Sequence, residues 1–316
     1  MTPTTPGGPD VSRYTFDGRV AVVTGAARGI GRAYADLLAE RGARLVVNDL
    51  GGTMEGDGAD PEPARRAAEE IVAAGGTAIP DANDVSTVEG GRAVVAAAME
   101  AFGRIDIIIN NAGNIRWGGL PEVDADNLNS HLAVHVGGSF HTTRAAWPHL
   151  IDQNYGRVVL TTSTGMFGLA DNLGYATAKA AVIGMARSLA VAGAPHGIKV
   201  NLIAPSASTR MGVHPSDGLD ALNRPTPTLM EPAIVAPLVA YLAHEACQVS
   251  GGAYLAGAGR FARLFVGVTP GYVPDQPDHS SIEDVASHWA DINDESGYDV
   301  PTDLRDWSTR YMAHIH

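Results

Sequence analysis

From Arg19 onward, short apolar runs rich in β-branched residues alternate with longer stretches whose apolar positions recur every three or four residues. The short runs read as buried strands and the longer stretches as helices that cover them. Strands are predicted at Arg19–Thr24, Leu45–Asn48, Thr77–Ile79, Ile105–Ile109, Arg157–Thr162 and Ile198–Ile203, with Tyr254–Ala256 as a last one. Helices are predicted at Ile30–Arg41 (closed by Gly42), Ala64–Ala74, Thr87–Phe102, Asp124–Gln153, Leu173–Ala194 and Glu231–His244, and a Gly/Asp/Pro-rich loop at Gly51–Pro63. Strands without a polar face, separated by helices, imply an α/β fold with a doubly wound parallel sheet. Ligands of such sheets sit beyond the carboxyl ends of the strands.

The texture changes after Gly257. Arg260–Val268 mixes basic and apolar residues, Pro270–Pro277 is Pro-rich, and Ser280–Asp294 reads as helical with Ser280 or Ser281 as its cap. The pattern therefore divides the chain into a loose arm at 1–15, one nucleotide-binding domain at 16–258, and an extension at 259–316 packed on the core or on a neighbouring subunit. The arm lacks the apolar run of a signal peptide. A length of 316 residues, 45% of them hydrophobic, is enough for one full core. A formal charge of −13 argues against a non-specific grip on nucleic acid or an anionic membrane. The single cysteine, Cys247, excludes an intrachain disulfide and a cysteine-based zinc cluster, and suits a reducing cytoplasm; no metal is expected.

Candidate chemistry begins where the first strand meets the first helix, at Thr24-Gly25-Ala26-Ala27-Arg28-Gly29-Ile30-Gly31. Glycines there let the backbone turn sharply and approach a pyrophosphate, which the free N–H groups of the helix N-terminus then hold. Asp49, at the end of the second strand, can accept the ribose hydroxyls and would repel a 2′-phosphate, favouring NAD over NADP. Arg28 has the opposite tendency if its guanidinium meets a phosphate, and is otherwise a solvated turn residue.

Tyr175 and Lys179 are four residues apart on a predicted helix and so share a face. A free phenol is a poor base at neutral pH, but a nearby ammonium and an oxidised nicotinamide both favour phenolate, which can take an alcohol proton. Among 22 Lys and Arg residues only Lys179 and Lys199 are lysine, so a compact ammonium at this place stands out from the chain's usual arginine. Upstream, Thr161-Thr162-Ser163-Thr164 offers four hydroxyls, one of which should polarise the substrate oxygen.

Together these residues resemble the short-chain dehydrogenase/reductase family, over about Phe16 to Gly259. The shared motifs are Thr24 to Gly31, Asn110-Asn111-Ala112-Gly113 and Tyr175 to Lys179, in that order. The resemblance implies a Rossmann-type fold, adenine contacts from Asn83, Asp84 and Val85, and a cofactor lined by Asn110 to Gly113, that is Asn110, Asn111, Ala112 and Gly113. It also implies that Ala207, Ser208 and Thr209 face the nicotinamide end. Thr162 stands where the family usually has its catalytic serine, with Ser163 as the alternative. His135 stands where the family has a helix asparagine that holds a proton-relay water; it relays protons or is a satisfied core histidine.

Several stretches are similar to one subgroup, the 3-hydroxyacyl-CoA dehydrogenase part of multifunctional enzyme type 2. They include Val46 to Gly52, His135 to Phe140, Ile203 to Met211 and Gly251 to Gly259. The likeness implies oxidation of a fatty or steroid side-chain 3-hydroxyacyl-CoA thioester, of either C3 configuration. A dehydrogenase of free hydroxysteroids or other bulky secondary alcohols stays open, as does a non-catalytic NAD-binding protein, suggested by Thr162 alone. Residues Met211–Met230 are expected to cap the substrate site, and Arg210, Arg224, Arg260 and Arg263 are candidates for holding an anionic CoA. The long helices after the fourth and fifth strands imply a homodimer or homotetramer, as is common in the family.

Overall fold

The computed structural model describes residues 13–209, 227–274 and 281–315. Seven parallel strands form its centre: β1 (Val20–Thr24), β2 (Arg44–Asn48), β3 (Thr77–Asp81), β4 (Ile107–Asn110), β5 (Gly156–Thr161), β6 (Ile198–Ser206) and β7 (Ala253–Gly257). Their order across the sheet is β3-β2-β1-β4-β5-β6-β7, so the direction of winding reverses between β1 and β4. That reversal opens the crevice in which ligands of doubly wound sheets lie. Every residue of β1, β4 and β5 is buried, because helices cover both faces and leave no side of these strands to water.

An eighth strand, β8 (Arg260–Leu264), pairs antiparallel with β7 from Gly257↔Arg260 to Ala253↔Leu264. The sequence did not predict it. Its residues alternate only weakly in burial, as expected of an edge strand whose register is fixed by its neighbour and by the tight turn at Ala258–Gly259, both of positive φ. The sheet thus runs into the segment beyond 258.

The helices are α1 (Gly29–Glu40), α2 (Glu62–Ala73), α3 (Val88–Phe102), α4 (Ala125–His131), α5 (Ser139–Asp152), α6 (Leu173–Gly193) and α7 (Ala236–Ala243). Thr87 caps α3 by accepting from the Gly90 N–H, and Gly103 ends it in the left-handed region, φ +72°. The predicted helix over Asp124–Gln153 is continuous, but α4 passes into α5 through a π-helical segment, Leu132–Gly138. After β8, α8 (Ile282–Ser287) begins at Ser281, whose side chain accepts from the Asp284 N–H, and α9 (Trp289–Ile292) and α10 (Leu304–Tyr311) follow. Ser280, Arg210, Arg224 and all but the last four residues of the expected substrate cap lie outside the described residues, as do residues 1–12 of the arm. Among the described residues no helix is long and apolar enough to cross a membrane.

Candidate active site

Two glycines of the β1–α1 turn, Gly25 and Gly29, have φ of +64° and +56°, a region that side chains with a Cβ rarely adopt. Gly31 is needed for a different reason: a Cβ there would lie 2.1 Å from the Gly25 carbonyl oxygen. Among the described residues no side chain caps α1, which leaves its first-turn N–H groups free at the mouth of a cleft of about 450 Å³. Of the predicted cofactor residues, Gly25, Arg28, Gly29, Ile30, Gly31, Asp49, Asp84, Val85, Ala112, Gly113 and Thr209 line this cleft. Ala207, Ser208, Tyr175 and Lys179, also predicted to meet the cofactor, do not line it.

Asp49 is held from both sides. One carboxylate oxygen accepts from the Ala27 N–H at 3.0 Å and the other from the Gly51 N–H at 2.8 Å, leaving lone pairs for hydroxyl donors. Arg28 folds back on it, 3.7 Å from the carboxylate, and donates to the Gly52 carbonyl at 3.3 Å. The guanidinium that was the one argument for a 2′-phosphate is therefore already occupied by the acid that would repel it.

Asn110 turns away from the cleft. Its buried amide donates to Thr143 Oγ1 at 3.0 Å and accepts from Thr142 Oγ1 at 2.5 Å, fastening β4 to α5. Its neighbour Asn111 lines the cleft instead, donating to the carbonyls of Thr24 and Gly25 at 3.0 and 3.1 Å. The Thr24 hydroxyl accepts from the N–H groups of Asn111 and Ala112 at 3.0 Å each, so the ends of β1 and β4 are tied together beneath the cleft. Nothing in the pair Asn110-Asn111 distinguishes which asparagine faces inward; the pleat of β4 decides it.

Tyr175 and Lys179 occupy one face of α6, and the Lys179 ammonium lies 5.5 Å from the phenol ring centre. Lys179 Nζ donates to the Thr161 carbonyl at 2.9 Å at the end of β5. Burial lowers its pKa from 10.5 to about 7. Burial raises that of Tyr175, partly offset by a hydrogen bond with Ser163. In the protein alone, desolvation thus outweighs the phenolate stabilisation expected from the neighbouring ammonium.

The two candidate hydroxyls have separated roles. Thr162 is fully buried and its Oγ1 donates to the Lys179 carbonyl at 2.6 Å. Ser163 is partly exposed, accepts from the Gly165 N–H at 3.0 Å, and is the hydroxyl that meets Tyr175. The Gly165 that follows has no room for a side chain, since a Cβ would stand 3.0 Å from Tyr175 Cε1.

His135 stands edge-on to Tyr175, ring centres 5.3 Å apart, with His131 stacked behind it at 6.1 Å. His131 uses both ring nitrogens on the backbone: Nδ1 lies 2.8 Å from the Asn127 carbonyl and Nε2 accepts from the Arg116 N–H at 3.1 Å. His135 uses one. Its Nε2 donates to the Asn114 carbonyl at 2.8 Å, which leaves Nδ1 a buried acceptor without a partner among the described residues. Burial, with Lys179 nearby, holds its pKa well below 6.5, so the ring is neutral. Sequence reasoning missed His131, Asn114 and the loop residues Gly52, Thr53 and Gly56 of the cleft wall. The glycine-rich composition of 51–58 was a usable signal, since so many glycines permit close approach to a ligand.

Comparison with known proteins agrees with this geometry. Residues 19–214 match the family model described as short chain dehydrogenase. The chain is 42% identical over 289 residues to peroxisomal multifunctional enzyme type 2 of Drosophila melanogaster, covering 90% of this chain and 46% of that one. It is 40% identical over 282 residues to a chain named as a short-chain type dehydrogenase/reductase of Mycobacterium tuberculosis, covering 88% and 95%. The solved structure of the full-length Drosophila enzyme superposes with a TM-score of 0.76 at 32% identity, covering 95% of this chain and 50% of that chain. The chain therefore spans about half the length of its multifunctional relative. With the reversed sheet, the glycine turn and the Tyr175–Lys179 helix already in place, the chain belongs to the short-chain dehydrogenase family.

Proposed function

We propose that the chain oxidises a secondary alcohol to a ketone with NAD, the alcohol being the C3 hydroxyl of an acyl-CoA thioester. The observation that carries the reading is the convergence of Tyr175, Ser163 and Lys179 at the carboxyl end of β5, in a protein whose glycine turn and Asp49 fit a dinucleotide. When bound, the nicotinamide supplies the acceptor for the hydride leaving the carbinol carbon.

The chain's own residues do the rest. The Ser163 hydroxyl donates to the substrate oxygen, and Tyr175 takes the alcohol proton. Lys179, anchored to Thr161, holds the sugar hydroxyls beside the phenol. Asp49 takes the adenosine ribose, the free N–H groups of α1 the pyrophosphate, and Asp84 and Val85 the adenine side.

Similarity to the multifunctional enzyme supports the thioester. Arg260 supports it too: it is exposed and pairs with Gly257 at the carboxyl end of β7, the edge of the sheet at which ligands gather. Arg263 lies further along β8, opposite Tyr254. The reading includes self-association through α5 and α6, supported by an apolar groove of about 840 Å³ lined by Met99, Phe140, Trp147 and Leu189.

A screen of 3-hydroxyacyl-CoA thioesters of both configurations against free secondary alcohols, following NADH absorbance, tests the reaction. Turnover with a thioester and NAD is expected, and Arg260→Glu should raise KM for the thioester alone. Turnover restricted to free alcohols would replace the substrate, and a preference for NADP would replace the cofactor.

A further inference from the structure

The segment between β2 and α2 is a self-contained loop. The Asp60 N–H donates to the Leu50 carbonyl and the Thr53 N–H to the Asp57 carbonyl, both at 2.8 Å, so its ends are pinched together and its tip is internally bonded. Gly51 makes the pinch possible, with φ +79° and a Cβ position only 1.9 Å from the Asp60 oxygen. Such loops move as units on their narrow base. Gly52, Thr53 and Gly56 form one wall of the dinucleotide cleft.

The far side of this loop is fastened across the cleft to the segment after β4. Arg116 Nε donates to the Glu55 carbonyl at 2.7 Å, and its Nη2 pairs with Asp57 at 2.9 Å. The Asn114 amide donates to the same Glu55 carbonyl at 3.2 Å, and the Ile115 N–H to the Met54 carbonyl at 3.0 Å. Asp57 is largely exposed, so the ion pair is of the solvent-screened kind that breaks readily. Asn114 and Ile115 are buried, whereas the Arg116–Asp57 pair lies at the surface, where a contact can open for a ligand to leave without unpacking the core.

We infer that Arg116 is a positioning residue that latches the 51–60 loop over the bound dinucleotide and so sets how fast the dinucleotide leaves. The inference rests on the NAD reading above. The backbone N–H of Arg116, which no side-chain substitution removes, holds His131, whose ring stands edge-on to Tyr175 at 6.1 Å.

Stopped-flow NADH fluorescence with wild type, Arg116→Ala, Arg116→Lys and Asp57→Asn tests the latch, with thermal unfolding measured alongside. Loss of a forked, charge-assisted pair of contacts should speed NADH dissociation about tenfold in Arg116→Ala. Asp57→Asn should show a smaller increase of the same sign. Arg116→Lys keeps the attraction to Asp57 without the fork and should recover part of the slow rate. The association rate should change little. A folded Arg116→Ala protein that releases NADH at the wild-type rate overturns the latch and leaves the NAD reading intact. A fall in kcat without faster release also overturns it, since the backbone contact to His131 is kept in every variant. A wild-type protein that binds no NADH overturns both.

Discussion

Thr162 and Lys179 are joined by a reciprocal clasp: the Thr162 hydroxyl donates to the Lys179 carbonyl at 2.6 Å, and the Lys179 ammonium donates to the carbonyl of Thr161 at 2.9 Å. The clasp ties the end of β5 to the middle of α6 and leaves Ser163, one residue on, free to face the phenol. Ser163→Ala should therefore lower kcat by about 10²- to 10³-fold, the usual cost of removing a donor aimed at a reacting oxygen. Thr162→Val should instead cost about 0.5–1.5 kcal/mol of stability by removing one buried hydrogen bond, with a smaller loss of rate. Steady-state kinetics and thermal melts of the two variants check this; the reverse ranking of kcat would return the catalytic role to Thr162.

Tyr175→Phe should lose kcat by orders of magnitude while NADH still binds, because the ring and its packing are kept and only the proton acceptor goes. Burial holds the Tyr175 pKa above its ordinary value and Ser163 pulls it back. Oxidation needs the phenolate, so its rate should climb with pH through the alkaline range, and Ser163→Ala should move that limb to still higher pH. A rate independent of pH between 7 and 10 would remove Tyr175 as the base.

Lys179 titrates near pH 7 in the folded chain against about 10.4 in an unfolded one. Between those values the unfolded state binds the extra proton, so this residue's contribution to stability grows as pH rises from 7 to 10. Below 7 both states carry the proton and the full penalty of the buried charge applies. The stability of wild type relative to Lys179→Met should improve by several kcal/mol across that window, as read by denaturant unfolding of the cofactor-free protein at each pH. A constant difference would mean that Lys179 keeps its ordinary pKa.

Gly113 has His135 packed directly against it: a Cβ there would lie 2.4 Å from His135 Cε1 and 3.0 Å from Nδ1. Gly113→Ala should cost about 1–3 kcal/mol by overpacking and weaken dinucleotide binding. Adding His135→Ala should recover part of both, a coupling that a double-mutant cycle measures directly. Strictly additive losses would show that the two sites do not collide.

Much of this was readable in the sequence. The strands β1 to β7, the glycine turn, Asp49 and the Tyr175–Lys179 face all follow from local pattern, because a parallel sheet buried on both sides demands unbroken apolar runs and a helix fixes its own spacing. What escaped depends on contacts between distant segments. Arg260–Leu264 becomes a strand only because β7 offers an open edge. The choice between Thr162 and Ser163 turns on which hydroxyl finds the Lys179 carbonyl, and between Asn110 and Asn111 on which one Thr142 and Thr143 claim. The direction of the Tyr175 shift was misjudged because sequence displays a cationic neighbour but not the depth at which both are buried.

The wider winding of Leu132–Gly138 has a consequence for how this helix tolerates change in length. Upstream, His131 supports Tyr175; downstream, Thr142 and Thr143 grip Asn110 on β4. Each residue of ordinary helix turns the axis by about 100°. A π-helical turn takes in one residue more than the α-helical turn it replaces, so the segment carries an extra residue while the two sets of anchors keep their phase. The segment therefore behaves as a length buffer: loss of one residue should be absorbed by a return to regular winding, whereas loss of two would rotate one set of anchors out of reach.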